Sequence, residues 1–159
     1  MRQRTSTAML VRLSTWLNPI VAAILRSRFH RLLSPGLMLI TVSGRKTGRR
    51  YTIPVGYHEA DDAVVILVAD APSKVWWRNY RQAGPIELRL RGKEFRGSAT
   101  VVPAGGAEFR QRAEASFGRA RLIPWIFGIA YDRETGLTDA QVKQLAEQAV
   151  IVRVAIDGR

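Results

Sequence analysis

Apolar residues fall at helical spacing in the first third of the chain and at strand spacing from residue 37 onward. Met9, Leu13, Trp16 and Leu17 mark a first short helix. Asn18 has the character of an N-cap and Pro19 that of a first helical residue, so a second helix is expected to open there. Val21, Leu25, Phe29, Leu32 and Leu33 share one face of it, flanked by Arg26, Arg28 and Arg31, and Pro35-Gly36 ends it.

Leu37 to Ser43 then reads as a buried strand, and Tyr51 to His58 as a second. Ala60-Asp61-Asp62 turns the chain into a third, Ala63 to Ala69. A loop and a short helical stretch over Ser73 to Ala83 stop at Gly84-Pro85. Ile86, Leu88 and Leu90 alternate with Glu87, Arg89 and Arg91, a turn is expected at Gly92-Lys93, and Phe95 to Val102 returns. Phe109, Ala113 and Phe117 give a helix, while Ile123 to Tyr131 is apolar and aromatic without a clear period. Thr138-Asp139-Ala140-Gln141 has the form of a capping box, Val142, Leu145, Ala146 and Ala149 form the stripe of its helix, and Val150 to Ile156 closes the chain as a strand.

The expected architecture is α+β: six strands, mostly antiparallel, forming a closed or partly closed barrel with N-terminal and peripheral helices. Residues 1–36 form the helical segment and residues 37–159 the barrel of a single domain. A chain of 159 residues can bury such a core unaided, and it must, since no cysteine is present to form a disulfide. The same absence removes thiolate nucleophiles and fits a reducing cytoplasm. No apolar run, Ile20 to Leu25 included, approaches the ~20 residues of a spanning helix, and no signal-peptide pattern is expected.

Charge changes the picture more. Residues 1–58 hold ten Lys/Arg and no acid, so +10 of the net +12 lies in the first third. Such asymmetry points to an anionic partner or to a solvated basic face. Four of these cations and two glycines occupy Gly44-Arg45-Lys46-Thr47-Gly48-Arg49-Arg50, between two strands. Glycines let backbone N–H groups approach an oxyanion, and arginine offers forked donors; a solvent-facing hairpin loop fits the spacing equally. The spacing is not that of a Walker loop, and no helix follows. A second cluster, Ser73 to Tyr80, sets Trp76, Trp77 and Asn79 on a short helix, suited to a flat heteroaromatic ring or to plain core packing. His30 and His58 are too isolated for a metal site, and nothing resembles a Ser/His/Asp set. Tyr131 is the candidate proton donor, with burial as its bland alternative. Chemistry without dedicated acid and base groups is chemistry done by a cofactor.

The run Ile40-Thr41-Val42-Ser43-Gly44-Arg45-Lys46-Thr47-Gly48, followed by Tyr51-Thr52-Ile53-Pro54-Val55, resembles the deazaflavin (F420)-dependent nitroreductase family. Trp76-Trp77-Arg78-Asn79-Tyr80 with Gly84-Pro85, and the Gly92-Lys93 hairpin, resemble its further hallmarks, over about Leu37 to Val102. The resemblance implies a split β-barrel of the flavin-reductase type that binds coenzyme F420, whose reduced form delivers a hydride to quinones, nitroaromatics, enones or fatty-acid double bonds. It implies that Arg45, Lys46 and Thr47, within Gly44 to Gly48 and with Arg50 beyond, contact the cofactor phosphate. Ile53, Pro54 and Val55 would line the ring, and Trp76, Trp77 and Asn79 would border it. Two positions depart: Tyr51 stands where many members carry arginine, and Tyr80 where leucine is usual.

The leading expectation is therefore an F420H2-dependent reductase of a small or lipophilic acceptor. An FMN-dependent reductase on the same fold and a non-catalytic cofactor- or lipid-binding protein are the alternatives. No specific nucleic-acid partner is expected, because the Arg89/Arg91 face has no aromatic partners. The chain is expected to be a monomer or homodimer in the cytoplasm, with peripheral membrane contact at the inner face through the N-terminal helices, or with those helices covering the barrel mouth.

Overall fold

A computed structural model describes residues 18–60 and 63–158; the expected first helix and the turn residues Asp61 and Asp62 lie outside them. Seven strands form one antiparallel sheet: β1 (Leu37–Ser43), β2 (Arg50–Gly56), β3 (His58–Ala60), β4 (Ala63–Ala69), β5 (Gly84–Leu90), β6 (Lys93–Val101) and β7 (Ala149–Ile156). Their order is β2-β1-β5-β6-β7-β4-β3, so the two edge strands are consecutive in the chain. Only Tyr57 separates them, and the sheet curls into a half-barrel. The expected six strands become seven because Tyr57 breaks the second one. Its N–H donates to the Gly36 carbonyl at 3.2 Å and its hydroxyl to the Ser34 carbonyl at 2.7 Å, which takes it out of both ladders. The β5–β6 turn also differs from expectation. Arg91 and Gly92, at φ 50° and 80°, make it, and Lys93 already belongs to β6. Both residues adopt the left-handed backbone that suits the twist of a hairpin.

The second expected helix is divided. Residues 18–26 (α1) are helical, with Asn18 already inside rather than capping from outside. At Ser27 the chain turns extended, and the Ser27 hydroxyl accepts from the Phe29 N–H to open a 3-10 helix, Arg28–Leu32. Further helices are α2 (Ala107–Phe117), α3 (Leu122–Ile126) and α4 (Asp139–Gln148). Thr138 and Gln141 exchange both bonds of the capping box at the start of α4. No helix among the described residues is long and apolar enough to cross a membrane.

Strand alternation divides the apolar side chains between two faces. Met38, Ile40, Val42, Val64, Ile66 and Leu88 belong to the cluster inside the curl. On the outer side of β4 and β7, Val65 and Ile151 pack with Phe109, Phe117, Phe127 and Leu145 of the helical layer. A small third cluster sets Ala22 and Leu25 of α1 on Leu39.

His58 is 6% exposed under α2. The Ser116 hydroxyl donates to the Arg112 carbonyl at 2.9 Å, so it accepts from His58 Nδ1 at 3.2 Å, and Nε2 has no partner among the described residues. Burial, with Arg119 and Arg112 nearby, lowers the His58 pKa from 6.5 to about 4. Between those values the unfolded chain takes up a proton that the native state refuses, so stability falls as pH falls from about 6.5 to about 4. Thermal melts over this window should show Tm dropping by several degrees, and His58→Gln should flatten the slope above pH 5. An unchanged slope in the variant would rule out His58 as its source.

Candidate functional site

Gly44 to Arg49 form a tight loop closed by two backbone bonds, Gly44 N–H to the Arg49 carbonyl and Gly48 N–H to the Gly44 carbonyl, both 2.8 Å. Gly48 sits at φ 65°, where a side chain is strained. Inside the loop the Arg49 N–H donates to the Thr47 hydroxyl at 3.3 Å. The backbone N–H groups of Arg45, Lys46 and Thr47 donate to no acceptor among the described residues. Three successive unengaged N–H groups with exposed cationic side chains form a concavity suited to an oxyanion.

The curl of the sheet brings this loop against the 3-10 helix Trp76–Tyr80. β1 runs antiparallel to β5, so the end of β1 lies beside the start of β5, where that helix delivers the chain. Two bonds tie the pieces together: Arg45 donates to the Arg78 carbonyl at 3.2 Å, and the Asn79 amide to the Ser43 carbonyl at 3.1 Å. Trp76 and Trp77 are half-buried against the inner cluster, as are Ile53 and Val55. Trp77 Nε1 donates to the Ala71 carbonyl at 2.9 Å, and its ring lies under the guanidinium groups of Arg78 and Arg81 at 5.7 and 5.4 Å. Arg49 lies over the Tyr51 ring at 5.4 Å.

Electrostatically the site is uncompensated. Arg45, Lys46, Arg49, Arg78 and Arg81 have no acidic partner among the described residues. Arg78 meets the loop through its carbonyl, while its guanidinium donates to the Pro72 carbonyl at 3.3 Å, so it and Arg81 extend the positive surface over Trp77. Lys74, in the turn before the 3-10 helix, is lowered by burial, with Asp70 opposing. Burial pushes the Tyr80 phenol up to about 12; its hydroxyl points to the Pro85 carbonyl at 3.5 Å and its ring packs edge-on to Trp76.

Three candidates lie elsewhere. Pro54 is paired with Leu39 and faces the outside of the curl, opposite to Ile53 and Val55. Arg50 shares that outer face and forms an ion pair with Glu87. Tyr131 packs edge-on to Phe117 in the helical layer, across the sheet from Ile53 and Val55, and its hydroxyl donates to the Glu114 carbonyl at 3.5 Å. Burial and the neighbouring Glu114 raise its pKa, against Arg133.

Residues 23–119, which include the loop and the Trp76–Tyr80 helix, match the profile of the F420H(2)-dependent quinone reductase family. The chain belongs to that family. It is accordingly an oxidoreductase, and the F420H(2)-dependent quinone reductase assignment agrees with the resemblance read from the two motifs. Among solved structures, the fold is similar to that of HutZ, a heme storage protein from Vibrio cholerae. The identity is 12% and the TM-score 0.53, over 81% of this chain and 86% of that one. It is also similar to a structure described as a domain-swapped dimer, at 13% identity and TM-score 0.51, over 84% of this chain and 98% of that one. At such identities only the fold is shared. No curated protein matches the sequence.

The cradle depends on its ties to the tryptophan helix. Asn79→Ala should cost about 1 kcal/mol in denaturant melts. It should also speed amide exchange in residues 44–49 while leaving β4 and β7 protected. Unchanged exchange in the loop would mean that the Ser43–Asn79 bond does not hold it in place.

Proposed function

We propose that this oxidoreductase binds F420 with the phosphate in the Gly44–Arg49 loop and uses its reduced form on a small or lipophilic acceptor. The observation that carries the reading is the loop itself: unengaged N–H groups and uncompensated cations, tied to two half-buried tryptophans. The donor set fits a phosphate monoanion or diester, and the aromatic and aliphatic walls fit a planar ring. When bound, the reduced coenzyme supplies a hydride to the acceptor. Arg45, Lys46 and Thr47 would hold the phosphate, with Gly44 and Gly48 giving the close approach. Ile53, Val55, Trp76 and Trp77 would border the ring and exclude water from it, and Asn79 would keep loop and helix in register. The acceptor classes to test are quinones, nitroaromatics, enones and fatty-acid double bonds.

Titration of the intrinsic tryptophan fluorescence with F420 should show saturable quenching. Arg45→Ala with Lys46→Ala should raise the dissociation constant at least tenfold, about 1.4 kcal/mol. Full occupancy by FMN with no response to F420 would replace the cofactor with FMN. Binding without oxidation of the reduced coenzyme by any acceptor of the panel would make the protein a cofactor carrier instead.

A second reading concerns where the acceptor is met. Ile20, Phe29 and Leu32 are 58%, 56% and 75% exposed, beside the exposed Arg28 and Arg31. Apolar side chains edged by arginine favour an anionic bilayer, the medium of a lipophilic acceptor. The protein should co-sediment with phosphatidylglycerol vesicles and not with phosphatidylcholine vesicles, and Phe29→Ser with Leu32→Ser should release it. Equal partition of wild type and variant would remove membrane contact at this surface.

A further inference from the structure

The 3-10 helix Arg28–Leu32 has three residues per turn, so side chains three apart stand above one another in rows. Arg28 and Arg31 form an exposed cationic row. Phe29 and Leu32 form an exposed apolar row beside it, with the Arg28 guanidinium 5.2 Å from the Phe29 ring. His30 stands in the third row, where Nδ1 and the buried Ser34 hydroxyl are 3.1 Å apart. The β5–β6 turn packs on that imidazole: a Cβ on Gly92 would lie 2.7 Å from His30 Nε2, so glycine is what lets the turn approach. Arg91, the other turn residue, is held at φ 50°, a left-handed backbone that a long side chain rarely adopts. Its guanidinium reaches Glu59 at 3.2 Å and the Tyr57 hydroxyl, which in turn donates to the Ser34 carbonyl.

Helix and turn border a cavity of about 450 Å3, lined by His30, Arg31, Ser34, Pro35 and Arg91. No acid lines it, and Arg31 has no acidic partner among the described residues. His30 Nε2 has no hydrogen-bond partner among them either. Two guanidinium groups, an imidazole and a hydroxyl, with no carboxylate, make a donor set for a phosphate ester. The cavity opens before β1 and the Gly44–Arg49 loop follows it, so the seven-residue strand sets them roughly 20 Å apart at ~3.3 Å per residue. One phosphate cannot serve both. The volume is that of a pocket for a small organic ligand rather than a bare phosphate, and the apolar row lies on the same helix. A phosphate joined to hydrocarbon chains satisfies both features. We infer that this cavity is a headgroup site, in which Arg31 and Arg91 hold the phosphate of an anionic glycerophospholipid whose acyl chains run along Phe29 and Leu32. The inference deepens the membrane reading of this surface and rests on it.

Calorimetric titration at physiological salt with dihexanoyl-phosphatidylglycerol, kept below its micelle concentration, tests it. Binding should saturate. Arg31→Gln with Arg91→Asn should weaken it at least fivefold; asparagine suits the left-handed backbone, so the turn is kept. The charge-matched Arg121→Gln with Lys143→Gln should leave it unchanged. Equal weakening by the two pairs would overturn the site in favour of net charge. Loss of lipid binding on Arg45→Ala with Lys46→Ala, with the cavity pair silent, would overturn it in favour of the loop. Glycerol phosphate bound as tightly as the short-chain lipid would overturn the lipid in favour of a free phosphate ester. Sedimentation with phosphatidylglycerol vesicles then separates this inference from the reading beneath it. Sedimentation lost in the arginine pair and in Phe29→Ser with Leu32→Ser supports both. Sedimentation lost only in the Phe29 and Leu32 variant ends the headgroup site and keeps the membrane reading. Wild type that does not sediment ends the two together.

Discussion

A sheet whose two edge strands are neighbours in the chain has no flat arrangement. β2 and β3 lie at opposite ends of the strand order, yet only Tyr57 stands between them. The other strands must therefore curve until those edges come within one residue of each other. Tyr57 anchors the corner by giving its N–H and its hydroxyl to the Ser34–Gly36 turn, which fixes β1 as well. Gly97 on β6 helps the curve: a Cβ there would lie 2.2 Å from the Ala155 carbonyl, so the two backbones approach closer than any side chain permits. Everything at the candidate site follows from this curl and the antiparallel pairing of β1 with β5. Together they put the end of β1, where the β1–β2 loop begins, beside the start of β5.

Ion pairs are unevenly distributed among the arginines. In the helical layer, Arg110 pairs with Asp139, and Arg112 with Glu108 at 2.8 Å. Around the loop, Arg45, Lys46, Arg49, Arg78 and Arg81 have none among the described residues. Exposed pairs contribute little to stability, so keeping acids away from Arg45, Lys46, Arg49, Arg78 and Arg81 costs the fold little. It leaves a local potential that any phosphate would meet before contact.

Much of this was legible in residue patterns. β1 and β4 have the expected limits because buried strands of unbroken apolar character announce their own ends, and Thr138 with Gln141 carries its capping geometry in four residues. The loop and the Trp76–Tyr80 helix were legible as motifs, though not as neighbours. The break at Tyr57 was hidden because period-two alternation runs through it, and what removes it from the ladder is a bond to a turn twenty residues away. Asn18 misled through composition: a residue that caps well can also lie within a helix. The gathering of arginines on the outer face of β2, β5 and β6 was invisible for the same reason as the break. Arg26, Arg50, Arg89 and Arg96 come from four separate elements and meet only through register.

β2 shows how few residues such a division needs. Arg49 and Tyr51 lie on the side of the loop and the inner cluster, whereas Arg50 and Thr52 lie on the outer face of the sheet. Arg49, just before β2, and Arg50, its first residue, thus present cations to opposite faces of the sheet, and a one-residue slip would exchange them. The register of β1 with β2, from Leu37 opposite Gly56 to Ser43 opposite Arg50, is what prevents the slip. It is held by burial of Met38, Ile40 and Val42 at one side and Leu39 at the other. Which cations reach which face of the sheet is therefore set by apolar residues packed on either side of it.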